Sequence, residues 1–179
     1  MNGKKWTQYI TSVIIAISIT FASCTKDDDS IFTPTPSTPN NPSTPSTVSE
    51  QKLLQLVNNA RSQGCNCGNT WYPPVAPVGW DDQLEAAAQG HSNWMNQNNT
   101  LSHTGAGGSD PGDRITAAGY QWRAYGENVA VGYPTEEAVI QGWLNSEGHC
   151  KNIMNGTFTK MGVAVSGRYW TQEFATPRN

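Results

Sequence analysis

Residues 125–175 read YGENVAVGYPTEEAVIQGWLNSEGHCKNIMNGTFTKMGVAVSGRYWTQEFA, and this stretch decides the fold. Tyr125 to Gly132 is short, rich in small and β-branched residues and bounded by glycine, which predicts a strand. Thr135 then stands as an N-cap before a helix through Leu144, and the helical pattern breaks at Ser146-Glu147-Gly148-His149. Met161 to Val165 and Tyr169 to Ala175 follow as two further strands. The strands do not alternate regularly with helices, as a parallel sheet would require. They predict an α+β fold with a small antiparallel sheet.

Upstream the chain is mainly helical. Thr47-x-x-Glu50 reads as a capping box, Leu53, Leu56, Val57 and Ala60 recur at helical spacing, and Gly64 ends the helix. Cys65 to Trp80 is irregular and Pro-rich. Asp81 or Asp82 caps a second helix with the stripe Leu84, Ala87, Ala88, His91, Trp94 and Met95. Asp110-Pro111 starts a third helix running to about Gly119. No internal repeat is present. The folded domain is expected over residues 49–179.

Residues 1–23 read as a lipoprotein signal peptide. Lys4 and Lys5 precede an apolar run from Tyr9 to Ala22 that is short for a membrane span. Phe21-Ala22-Ser23-Cys24 resembles a bacterial lipobox, so Cys24 is expected to become the lipidated N-terminus. Residues 24–48 then form a tether. Thr25-Lys26-Asp27-Asp28-Asp29 resembles an export tag for the outer face of the outer membrane, and Thr33 to Thr47 contains only Thr, Pro, Ser and Asn. Such a segment has no apolar surface to bury, and its prolines favour extended polyproline II at roughly 3 Å per residue. Membrane attachment through Cys24 at the cell envelope is therefore the expected location.

Charge narrows the partners. Fourteen acidic residues against eleven basic ones give a formal charge of -3, which excludes a basic nucleic-acid binder. Seven Trp and six Tyr predict an aromatic-rich core. Beyond Cys24 three cysteines remain. Because Cys65-x-Cys67 bridges poorly to itself, a disulfide from Cys150 to either Cys65 or Cys67 is expected in an oxidising compartment. A three-cysteine metal site has no obvious fourth ligand.

Three histidines are available for chemistry. His91 lies on the core stripe of the second helix and reads as a buried, hydrogen-bonded residue. His103 precedes the Gly-rich loop Gly105-Ala106-Gly107-Gly108, and His149 sits where a helical pattern breaks. Loops at such places carry function. Glu127 is a charge inside an otherwise apolar strand and needs a partner to offset desolvation, for which the two histidines are candidates. Ser102, Ser146 and Cys150 are poor nucleophile candidates, since sequence neighbours rarely aim at one another.

Five motifs occur in one order: Leu101-Ser102-His103-Thr104-Gly105; Gly126-Glu127-Asn128-Val129-Ala130; Gly142-Trp143-Leu144-Asn145-Ser146-Glu147-Gly148-His149 with Asn152-Ile153-Met154; Met161-Gly162-Val163-Ala164; and Tyr169-Trp170-Thr171-Gln172. Together they resemble the CAP superfamily of cysteine-rich secretory, antigen 5 and pathogenesis-related 1 proteins, in its compact bacterial branch, over about residues 50 to 175. The resemblance implies an α-β-α sandwich and a cleft built by His103, Glu127 and His149, with Glu147 as the positional match for a fourth member. It places His91 outside that cleft. His103 and His149 would then be ligands of a divalent cation such as Zn²⁺, with Glu127 behind them or acting as a base. Three functions follow as expectations: an extracellular binding module for a lipid, glycan or protein; a Zn-dependent hydrolase, peptidase or esterase, using the same cleft; or a structural polar network with function on loops such as Cys65 to Pro77.

Overall fold

The computed structural model describes residues 48–178; the signal peptide, Cys24 and the tether up to residue 47 lie outside the described residues. The elements run α1 Glu50–Gln63, β1 Cys65–Cys67, β2 Thr70–Tyr72, β3 Gly79–Trp80, α2 Asp82–Asn98, α3 Pro111–Ala117, β4 Trp122–Val131, α4 Glu136–Asn145, α5 Glu147–Ile153, β5 Lys160–Ser166 and β6 Tyr169–Pro177. The main sheet has the order β3-β5-β6-β4. It is antiparallel apart from the two-residue parallel pairing of β3 with β5.

β6 is central and is buried from Tyr169 to Thr176, so both of its faces are covered. On one face Trp170 and Phe174 join Leu53 and Val57 of α1, Ile140 and Trp143 of α4 and Ile153 of α5 in the largest core cluster. On the other, Ala175 packs with Leu84, Ala87 and Ile115, and Tyr169 with Met95. The result is helix, sheet, helix: an α+β sandwich. The α2 layer lies very close to the sheet, because a Cβ on Gly162 of β5 would fall 2.1 Å from the Glu85 backbone nitrogen. Only glycine allows that approach.

Local chemistry explains the boundaries and several departures from the sequence reading. Ser49, not Thr47, caps α1, its Oγ accepting from Lys52 N at 3.3 Å. The Ser49 amide is served by Glu136 of α4 at 3.1 Å, so Glu50 is not needed to close a box. Asp81 caps α2 by accepting from Gln83 N and Leu84 N, and Asp110 with Asp113 forms a capping box on α3, which ends at Ala117. The break at Ser146 separates α4 from a second short helix, α5, whose existence the sequence reading lacked.

The stretch read as irregular, Cys65 to Trp80, holds the hairpin β1-β2 and the short β3. It is organised by Arg61, wholly buried on α1. The guanidinium donates to the carbonyls of Ala76 at 2.8 and 2.6 Å, Ile153 at 2.6 Å, Asn155 at 3.1 Å and Phe158 at 3.2 Å. These carbonyls satisfy its donors without a carboxylate, and burial pulls its pKa down to about 10. The disulfide joins Cys67 to Cys150, which ties the hairpin to α5. Cys65 Sγ lies 3.5 Å from Cys150 Sγ.

Candidate functional site

The site is generated by strand register. β4, an edge strand, pairs Glu127 with Glu173 of β6 and Asn128 with Gln172. Successive side chains point to opposite faces. Glu127 therefore meets groups from α2, α3 and the loop between them, whereas Asn128 meets α5.

Glu127 is 6% exposed and both its oxygens are engaged. His103 Nδ1–H donates to Oε1 at 2.6 Å, and Arg114 of α3 donates to Oε2 at 2.5 Å. The same guanidinium donates to the carbonyls of His103 at 3.1 Å and Ser109 at 2.9 Å, which fixes the loop that carries His103. Gly105 makes room for this arrangement: a Cβ there would lie 3.1 Å from both Arg114 NH1 and His91 Nδ1. His91, 1% exposed, donates through Nε2–H to the Ser102 carbonyl at 2.7 Å and lies 3.8 Å from Glu127 Oε2. It is buried as its place on the stripe predicts, yet it backs the Glu127 cluster.

Electrostatics follow from these contacts. Burial pushes the Glu127 pKa up, but the His103 hydrogen bond, the Arg114 charge and the neighbouring Glu173 carboxyl outweigh it, so Glu127 is held below the ordinary carboxylate value. The Glu127 hydrogen bond raises His103 against the opposing effect of burial. Burial, then the charge on His103, lowers His149. Burial lowers His91 despite the Glu127 charge.

His149 stands on α5, half-buried, and its backbone carbonyl accepts from Asn128 Nδ2 at 3.3 Å. Asn128 also donates to Gln172 Oε1 at 3.0 Å, and Asn152 donates to Asn128 Oδ1 at 2.9 Å and to the Glu127 carbonyl at 3.0 Å. This amide network holds α5 against β4, while the Cys67–Cys150 bridge ties α5 to the hairpin. Glu147 is not brought to Glu127. Its carboxylate takes Lys151 at 2.6 Å one helical turn along, and its side chain is 58% exposed. It also lies over Gly68 of the hairpin turn, where a Cβ would come 2.9 Å from Glu147 Oε2.

Two members of the cluster were missed from sequence. Arg114 resembles an ordinary solvated helix cation. Glu173 carries the same signal that singled out Glu127, a charge in an apolar strand, and is wholly buried. Behind the cluster a cleft of about 360 Å³ opens between α2 and α3, lined by Ala87, Gly90, His91, Trp94, Ser109 and Arg114 among others.

Taken singly, His103 and His149 have the donor chemistry of imidazole ligands. Glu127 occupies Nδ1 of His103, leaving Nε2 as the lone-pair donor on a side chain that is 56% exposed, the carboxylate–histidine arrangement that orients metal ligands. Burial favours the neutral ligating form of His149. The three cysteine sulfurs also lie within 4.8 Å of one another, but two are joined as a disulfide and offer no thiolate.

The chain is 35% identical over 126 residues to the uncharacterized membrane protein YlbC of Bacillus subtilis, covering 70% of this chain and 34% of that one. It is 36% identical over 128 residues to the uncharacterized protein YkwD of the same organism, covering 70% and 46%. It thus spans less than half the length of these curated relatives. An extracellular protein containing a SCP domain from Bacillus anthracis superposes with a TM-score of 0.64 at 34% identity, covering 76% of this chain and 45% of that one. The profile described as "CAP: Cysteine-rich secretory protein family" matches residues 54–174, and the chain belongs to that family.

Proposed function

We propose that the chain is an extracytoplasmic binding module, anchored to the outer membrane through Cys24, whose His103/Glu127/His149 cleft takes a divalent cation such as Zn²⁺. The observation that carries this reading is the Glu127 carboxylate, held by Arg114 and buried behind His103, which orients an exposed imidazole with Nε2 outward. His103 and His149 would hold the ion. Bound, it would supply a positive centre for an oxygen-bearing group on an extracellular lipid, glycan or protein. Glu127 has both oxygens committed, so it is poorly placed to serve as a base, and this weighs toward binding over hydrolysis. Glu147, paired with Lys151, has no part in the cleft on this reading.

Calorimetric Zn²⁺ titration of the full chain, beside the His103→Ala/His149→Ala double variant, tests it. The wild type should bind and the double variant should not; absent binding in the wild type, or equal binding in both, overturns the cation reading. The cation and a proton compete for His103. Because the Glu127 hydrogen bond raises the His103 pKa above its ordinary 6.5, affinity should grow as pH rises through that raised value. His149, shifted downward, is already neutral over this range.

A further inference from the structure

Glu173 is the single carboxylate of β6, wholly buried and directly opposite Glu127 in the strand register. Among the described residues no N–H or hydroxyl donates to either of its oxygens. The charged and titratable groups around it are Glu127 and Tyr125 from β4 and Arg114 from α3, with His91 of α2 and His103 on the far side of Glu127. Arg114 gives its terminal N–H groups to Glu127 and to the carbonyls of His103 and Ser109, and its buried Nε–H makes no hydrogen bond to Glu173. A buried ionised Glu173 would thus face a second carboxylate with no donor of its own, an arrangement that like-charge repulsion and desolvation both oppose. A neutral Glu173 has an O–H, and the carboxylate beside it is Glu127.

We propose that Glu173 is a positioning residue for the cleft: a carboxylic acid that stays protonated at neutral pH and donates its O–H to Glu127, holding that carboxylate against His103 Nδ1–H. Glu127 then bears one negative charge shared among His103, Arg114 and Glu173. Burial and then the Glu127 charge raise Glu173 well above the ordinary carboxylate value, and a hydrogen bond between the two carboxyls adds to that rise while lowering Glu127. At neutral pH the unfolded chain has Glu173 ionised, so folding takes one proton from solvent and unfolding returns it. The positioning role rests on the reading of His103 as the donor that faces the cleft. The protonation does not.

Infrared spectroscopy of the full chain at neutral pH, wild type against Glu173→Gln, tests the protonation directly. A carbonyl stretch of a protonated carboxylic acid should be present in the wild type and missing in the variant; no such difference overturns the proposal. Urea unfolding is the second readout. Because Glu173→Gln needs no proton to fold, the ratio of its folding constant to that of the wild type should rise about tenfold per pH unit above the ordinary carboxylate range. A ratio independent of pH overturns the proposal. For the positioning role, the hydrogen-bonded Nδ1–H resonance of His103 should persist in Glu173→Gln, which keeps a neutral donor, and weaken in Glu173→Leu. If the leucine variant leaves that resonance unmoved, Glu173 does not position Glu127. None of these readouts involves a metal, so a failed Zn²⁺ titration leaves them standing.

Discussion

The residue on which the site turns is Glu127, and its environment sets the size of its effect. Glu127→Ala leaves the Arg114 guanidinium, on a side chain only 11% exposed, without its carboxylate and His103 Nδ1–H without its acceptor, and breaking a buried pair in this way costs about 3–5 kcal/mol. Glu136 is the contrasting case. Its carboxylate meets Lys52 at 3.5 Å, with that lysine side chain 41% exposed, and accepts from the Ser49 amide; such a pair contributes about 0–1 kcal/mol and such a hydrogen bond about 0.5–1.5 kcal/mol. Denaturant unfolding should therefore show the larger loss for Glu127→Ala; equal losses would count against Glu127 as the centre of the cluster. Glu127 was legible in the sequence because a charge interrupts Val and Ala on one short strand. Glu173 was equally legible by the same rule, in Tyr169-Trp170-Thr171-Gln172-Glu173-Phe174, but which face it took depended on a register that local sequence does not specify. Arg114 gave no signal, since only the orientation of α3, set by the Asp110/Asp113 cap, turns it toward β4.

At the scale of elements, the strands β4, β5 and β6 and the helices α1, α2 and α4 could be read because each is long enough to repeat a pattern, and the seven-residue α3 because Asp110-Pro111 marks its start. α5 could not. It is seven residues long, and its only buried residues are Cys150 and Ile153. β3 is two residues and exists through pairing with β5. The choice between Cys65 and Cys67 as the partner of Cys150 was likewise beyond sequence, since both cysteines are buried and their sulfurs lie near the same atom. That proximity has a measurable consequence. In Cys67→Ser, Cys65 Sγ, 3.5 Å from Cys150 Sγ, should form the substitute bridge, and peptide mapping should recover Cys65 joined to Cys150. Cys150→Ser removes every bridge to α5. The lost link spans 83 residues of chain, for which loop entropy gives up to about 4–5 kcal/mol. Cys150→Ser should thus be clearly less stable than Cys67→Ser, and equal stability of the two variants would argue that no substitute bridge forms.

For the whole molecule, the sandwich places the cleft cluster at the edge strand, where α2 and α3 cover one face of β4 and α5 the other. Among the described residues no helix is long and apolar enough to cross a membrane. Membrane attachment, if the proposal holds, must come from the lipobox-like Phe21-Ala22-Ser23-Cys24, which lies outside those residues. Acyl chains contribute about 0.8 kcal/mol per buried CH₂, and two or more together make stable anchors. The thiol of Cys24 is the atom that would carry the lipid, so Cys24→Ser removes the acceptor while leaving the apolar run and the domain unchanged. Labelled palmitate fed to expressing cells should enter the wild-type protein and be absent from Cys24→Ser. The mature wild-type N-terminus, read by mass spectrometry, should begin at an acylated Cys24. Label retained in the serine variant, or a mature chain beginning elsewhere without lipid, would remove the anchor from the proposal and leave the cleft to be explained as part of a secreted domain.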